Sequence, residues 1–588
     1  MNKIFEYILN LNSSVLILLS CIALYPSTFC YSQANDVIVV SGQGLREVEP
    51  AYRIKGSPLL NDTTVLTKIS EYPRLSLQHE TEITTVPIVP GRLKTKNKNP
   101  KLYNGYAKVG IGSQITPIAE LYFGSTRDKE HLYGAYAKHL SSFGKIRDYA
   151  PAQFDITDVG LFGSILKRKY SLSGEINYRT HGFKYYGWPQ APDTIQSIDL
   201  IQRYNNIGVS GKFDSHKKDS ANLNYSIELN YNKFNTKKPL EDSLYAWRSG
   251  ENNLVSKNNF WYKYKNETFS TMLDIRYNGF LYGIADSSIS SNDSGYVLNN
   301  TIIGLKPNVH TSLLNNKFNV DAGFNISVDI HNETKVYVFP KVKIKYSLFN
   351  DMFIPYVGIT GGIKQQSLRE ITRTNEFVIP QVQLVNEKTP YSISAGIKGS
   401  LSNSISFNSS LEFCRINDKL LFTLDSSNIN AQQYPSKFNL HYDSLTRTKI
   451  EGSISYQMDE KLKIDGIGRF YSYEVLNNAY AWNLPQLEFI ARGSYNLFDK
   501  FLINLDVLIQ GGRKALVFNE DETTFIENDQ IVKPLGTLFD INLGAEYRYN
   551  KRISGFLQLN NAAAQRYLRW HNYPVQGFQI IGGIKARF

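Results

Sequence analysis

The sequence predicts an all-β fold: a large transmembrane antiparallel β-barrel of about 22 strands, preceded by a short extended N-terminal segment. Three observations carry this. Segments of about ten residues with apolar and polar side chains in alternation recur from Leu102 to Phe588, divided by turns and loops rich in Asn, Asp, Ser, Gly and Lys. The chain holds 39 Tyr and 32 Phe but only 4 Met, so strand-forming aromatics are plentiful while no long helical period is present. Beyond the N-terminal region, no uncharged apolar stretch reaches the roughly 18 residues of a membrane helix. Any crossing of a bilayer is therefore made by strands, in keeping with a mean hydropathy of −0.31 and 20% charged residues.

The elements follow in order. Lys3, the apolar run Val15 to Leu24 and the small-x-small pattern Ser32, Gln33, Ala34 read as an export signal over residues 1–34. A competing pattern, Leu18, Leu19, Ser20, Cys21, has the form of a lipoprotein box in which Cys21 is acylated. The apolar run continues past Cys21, where such a signal ends. Residues 35–101 contain Pro50, Pro58, Pro73, Pro87, Pro90 and Pro100 and end in Arg92, Lys94, Lys96, Lys98 and Lys101. They read as an extended periplasmic or lumen-filling segment, not an independent domain. Their charges fit a solvated linker, or contact with anionic lipid or an acidic wall.

Residues 102–588 form the predicted barrel. Leu223, Tyr225, Ile227, Leu229 and Tyr231 oppose Asn224, Ser226, Glu228 and Asn230; Phe501, Ile503, Leu505, Val507 and Ile509 oppose Asn504, Asp506 and Gln510. Phe539 to Tyr549 alternates likewise against Asp540, Asn542, Glu546 and Arg548. The final strand sets Phe578, Ile580, Gly582, Ile584, Ala586 and Phe588 against Gln579, Gly583, Lys585 and Arg587. Such a strand suits barrel closure, with an apolar face to lipid and an aromatic at the interface. Tyr547, Tyr549, Phe578 and Phe588 are expected in the aromatic girdles. Ser402 to Ser404 and Phe498 to Lys500 read as periplasmic turns; Asn235 to Glu251, Asp425 to Tyr442 and Val517 to Lys533 read as external loops. The Gly361, Gly362 and Gly582, Gly583 pairs are sites where a bulge would exchange the two faces.

Several chemistries find no support. The 9 His are scattered, and none lies in HExxH or beside a GxSxG serine. His131 and His139 share a face but stand eight residues apart, too far to share a metal. No phosphate-loop, calcium-loop or CxxC pattern occurs, so no catalytic residue, metal or cofactor is expected. Cys414 alternates with Glu412 and Ser410 on the polar face of its strand and reads as a bystander. The net charge of +12 with many aromatics imitates a nucleic-acid surface. Export and strand alternation argue against nucleic acid.

Two stretches resemble the TonB-dependent receptor barrels of Gram-negative outer membranes. One is Asp540 to Phe588, through Asn560, Asn561, Tyr567, Tyr573, Pro574 and Gly577 to the final Phe; the other is Asn375 to Gly399, similar to a middle barrel segment of that group. The strand estimate suits that family too. The resemblance implies outer-membrane localisation, lipid contact and solute passage. Receptors of this kind carry a plug of well over a hundred residues, and about 65 lie between the signal and the first strand here, which implies a reduced form without a full plug. Asp36, Val37, Ile38, Val39, Val40 and Ser41 resemble the box by which TonB adds a strand to such a receptor.

Three functional expectations remain side by side. The first is a porin-like channel or receptor for an unidentified solute, with lumen-facing candidates Glu228, Glu412, Asp506, Asp540, Glu546, Arg548, Lys585 and Arg587; this mixed set favours neither ion sign. The second is TonB-energised uptake with a reduced plug. The third is a structural barrel in an envelope assembly, partnered by a lipoprotein or other envelope subunit.

Overall fold

The computed structural model describes residues 102–126, 128–149, 151–187, 201–216, 223–237, 247–284, 296–331, 333–425, 437–518 and 523–588. The expected export signal, the segment 35–101 and the TonB-box-like residues Asp36 to Ser41 lie outside them.

Among the described residues, twenty-two strands pair in chain order as an antiparallel meander, from Gly105–Gly112 to Gln579–Arg587. The meander closes on itself. The last strand pairs with Ile553–Asn560 on one side and with the first strand on the other, where Tyr106 stands opposite Arg587 and Gly112 opposite Ile581. Strand lengths run from 8 residues in Gly105–Gly112 to 21 in Phe438–Met458. About nine to eleven tilted residues cross a bilayer, so the longest strands stand well clear of it. No helix among the described residues is long and apolar enough to span.

Alternation places one apolar face outside. Val109, Ile111, Leu161, Ile176, Ile450 and Ile584 are each more than half exposed, and a belt of this kind is stable only against lipid. The opposite face is polar at mid-barrel. Of the two glycine pairs, the first does carry a register shift, between Thr360 and Gly362. The second runs without one, Gly582 and Gly583 facing Leu557 and Phe556 on one side and Ile111 and Gly110 on the other. Alternation therefore runs unbroken along the final strand. At this seam the backbones approach so closely that a Cβ on Gly583 would lie 2.1 Å from the Val109 carbonyl oxygen.

The connections are unequal. At the end where the first strand begins and the last one finishes they run from two residues (265–266, 403–404) to eight (216–223); at the other end they reach 22 (365–386) and 26 (512–537). The expected periplasmic turns fall at the first end and the expected external loops at the second, which orients the barrel in an outer membrane. Aromatics ring the short-connection rim: Tyr170, Phe213 and Tyr225 stack at 5.7 and 5.6 Å, and Phe501 meets Tyr547 at 4.9 Å. These are rings placed at a membrane interface.

Candidate functional site

Contacts from several distant wall strands converge where 365–386 turns back into the barrel. Ser367 starts a seven-residue helix, Leu368–Thr374, by accepting the Glu370 N–H on its side-chain oxygen. The wall supplies a second acceptor. Glu251, 1% exposed, takes the Leu368 and Arg369 N–H groups at 2.9 and 3.0 Å and the Asn278 side-chain amide at 2.7 Å. The carboxylate thus satisfies helix N–H groups that would otherwise be buried without a partner. Further along, Ile379 donates to the Phe438 carbonyl and Phe438 to that of Phe377, tying the connection to a wall strand. Asn386 exchanges amide bonds with Asn300 and donates to Asp329.

Between these polar ties sits an apolar core. Leu368, Ile371, Phe377, Val378, Val382 and Leu384 of the connection pack on Phe183, Tyr204, Phe234, Phe280 and Leu298 of the wall and on Trp570 and Tyr573 of 561–578. Phe377 lies flat on Tyr573, ring centres 3.7 Å apart. Burial raises the Tyr573 and Tyr186 phenols above their usual range, so both are neutral hydroxyls here. A second cluster joins Trp482 and Val532 to Leu421. The described connections therefore fill the long-connection mouth as a folded cap. Tyr573→Ala removes a fully buried ring, which costs about 3–5 kcal/mol in a packed core. The expected result is faster proteolysis within 365–386 while the strands stay protected, and unchanged cleavage would contradict this packing.

The residues singled out in the sequence occupy several places. Glu412 meets Arg447 at 2.5 Å and Lys449 at 2.8 Å; Arg469 links Glu451 and Glu488 at 2.8 and 2.6 Å. Lys449 lies 3.7 Å from Glu451, so three cations and three carboxylates form one chain along the wall. Glu546 pairs with Lys585 and accepts from Ser554, and Arg548 stands opposite Ser554. Glu228 accepts from Asn230 and sits between Lys212 and Lys257 in register. Asp506 lies 3.5 Å from Arg492, both more than half exposed. Asp540 lines a cavity of about 250 Å³ with Glu376, Phe377 and Arg569, and Arg587 is exposed opposite Tyr106. They do not converge on one centre. Arg469→Ala leaves Glu451 and Glu488 without their shared cation, so a barrel opened by removing the cap is expected to shift its reversal potential toward cation preference in a salt gradient.

Sequence reasoning missed the cap. The stretch 375–386, read with the barrel, belongs to it, and the strand begins only at Glu387. The available signal was Ser367-Leu-Arg-Glu370, a capping-box spacing. Cys414, on the Glu412 face, is buried with Ile416, Leu445 and Ala481 of the neighbouring connection. His131 lies near Asp128 and His139 bonds Thr157, with no common partner.

No family model and no curated protein matches this sequence. Solved structures do match. The FrpB iron transporter from Neisseria meningitidis aligns with a TM-score of 0.63 at 10% identity, over 83% of this chain and 82% of that one. The ferric-catecholate import receptor Fiu from E. coli K12 gives 0.58 at 10%, over 83% and 82%. The pyoverdine outer membrane receptor FpvA from Pseudomonas aeruginosa PAO1 gives 0.59 at 12%, over 83% and 79%. At such identities the likeness is one of fold.

Proposed function

We propose that this chain, whose barrel has the fold of TonB-dependent outer-membrane receptors, is a gated solute channel of a Gram-negative outer membrane. The cap carries the reading. A barrel of about 22 strands encloses an aqueous lumen unless something fills it, and here 365–386 fills the external mouth with its own apolar core and wall anchors. A steadily open pore does not fit a mouth so occupied. Passage needs the cap to move, which makes the function that of a receptor that opens. TonB contact at Asp36 to Ser41 belongs to this reading as its energy input. A structural barrel whose mouth a partner closes is less well supported, because the chain's own residues already close it.

The test is conductance in a planar bilayer. The full chain is expected to pass little steady current, and a version with 368–384 replaced by a Gly/Ser linker is expected to give large steady steps. Equal conductance from the two would remove the cap from the gating role.

A further inference from the structure

One register row crosses ten neighbouring strands without a charge. It starts near the short-connection rim with three tyrosines, Tyr106 opposite Tyr122 and Tyr122 opposite Tyr136. It continues through Gly160 to Asn177 and through Gly208 to Asn232. From Asn232 it passes to Asn253, Asn278 and Asn300. These residues share the face that holds the cap, since Asn278 donates to the Gln366 carbonyl and Asn300 to Asn386. Strands in such barrels lean about 35–45° from the axis, so a row at right angles to them climbs as it goes round. Its two ends confirm the climb: the second residue of the first strand at one rim, the underside of the cap at the other. With about 4.8 Å between strands, the ramp is about 40 Å long.

The side chains along it are laid out as a continuous surface. The tyrosine rings follow one another at 6.0 and 5.9 Å. The two glycines leave room for their neighbours: a Cβ on Gly160 would meet the Tyr136 ring at 2.5 Å, and one on Gly208 would meet the Asn177 amide oxygen at 2.1 Å. A cavity of about 520 Å³ opens on this row, with Asn177, Gly208, Asn232 and Asn253 on the wall side and Gln365 and Arg369 on the cap side. Charges flank it, since Glu175, Lys257, Arg276 and Glu370 border the same cavity and the Lys138 ammonium lies 5.2 and 5.4 Å from the Tyr122 and Tyr136 ring centres. The adjoining row reads Lys108, Glu120, Lys138, Asp158, Arg179 in alternating sign, with Lys108 at 2.9 Å from Glu120 and Arg179 at 3.7 Å from Asp158.

We propose, resting on the gated-channel reading, that this ramp is a track for a linear, neutral, hydroxyl-rich chain, an oligosaccharide in chemical class. Tyrosine faces cover the C–H faces of sugar rings. The amides of Asn177, Asn232 and Asn253, which line the cavity, offer donors and acceptors matching vicinal hydroxyls that are themselves donor and acceptor. Asn278 and Asn300 are buried against the cap and join the track only when it moves. Because the row itself holds no charge, direct contact with its side chains strips no water from an ion. A series of similar, shallow contacts binds without trapping, as passage requires.

The experiment is titration calorimetry of the folded full chain with maltotriose, maltohexaose, laminarihexaose and, as the charged counterpart, hexagalacturonate. At least one neutral hexasaccharide is expected to bind, maltohexaose more tightly than maltotriose if it is the one, and hexagalacturonate at least tenfold more weakly. Tyr122→Ala and Asn232→Ala are each expected to weaken that binding at least tenfold, with Asn253→Ala standing in if Tyr122→Ala does not fold; the outward-facing Tyr178→Ala, away from the cavity, is expected to change nothing. Absence of binding by both neutral hexasaccharides, preference for the anionic one, or equal affinity in the track variants would overturn the track. Silent conductance after cap replacement would instead overturn the channel reading, whatever calorimetry shows.

Discussion

Replacing Glu251 by Ala is expected to turn a nearly silent barrel into one that opens frequently. Glu251 is the acceptor for two helix N–H groups and a wall amide, two of these bonds buried and the one from Arg369 half-buried. Hydrogen bonds to a charged group contribute about 1.5–3 kcal/mol each, and leaving buried donors unpaired adds to the loss. A combined loss of about 4 kcal/mol shifts a closed-to-open equilibrium by about a thousandfold. Glu251→Gln keeps an acceptor and is expected to give an intermediate open probability. The measurement is single-channel recording at fixed voltage. If both variants stayed as quiet as the parent while proteolysis showed the cap loosened, the cap would not be what blocks current.

A second large effect is expected at the seam. Gly583→Val puts branched carbon where the Val109 carbonyl oxygen already lies 2.1 Å from the Cβ position and the Gly110 Cα 2.6 Å from it. Both neighbours are backbone, so no rotamer change relieves the clash, and seven paired positions between the first and last strands depend on this approach. Loss of closure exposes two unpaired strand edges in lipid, each open backbone group costing several kcal/mol. The expected readout is loss of the compact, heat-modifiable gel form, with folded yield down at least tenfold. Gly211→Ala, where a Cβ meets nothing within 4 Å, is the matched control and is expected to fold normally. Normal folding of Gly583→Val would mean the seam is looser than its geometry.

Much of the barrel was legible in the sequence because alternation is a local property. Phe501, Ile503 and Leu505 against Asn504 and Asp506 fix two faces with no knowledge of any neighbour. The cap was not legible, since Phe377, Val382 and Leu384 follow neither strand nor long-helix periodicity and acquire meaning only against Phe234 and Phe280, far away in sequence. The list of charged wall residues has the opposite weakness. Glu412 and Asp506 were equally visible, yet one is tied to two cations and the other to a single arginine at 3.5 Å, a difference set by the next strand over. The tyrosine and asparagine row needs the length of every intervening turn, because a one-residue change in any of them would slide half the row out of line.

The seam also bears on how the molecule is made. Every other neighbouring pair of barrel strands is joined by one connection, and such contacts form early because little chain has to be brought together. The pairing of the first and last strands, with Ile580 donating to the Ser113 hydroxyl across 467 positions, spans nearly the whole described chain. The entropy of closing so long a loop is recovered only in that final step. Folding is therefore expected to pass through an open, curled sheet with two bare edges, the stage at which the nascent protein most depends on helpers that shield or template an edge strand.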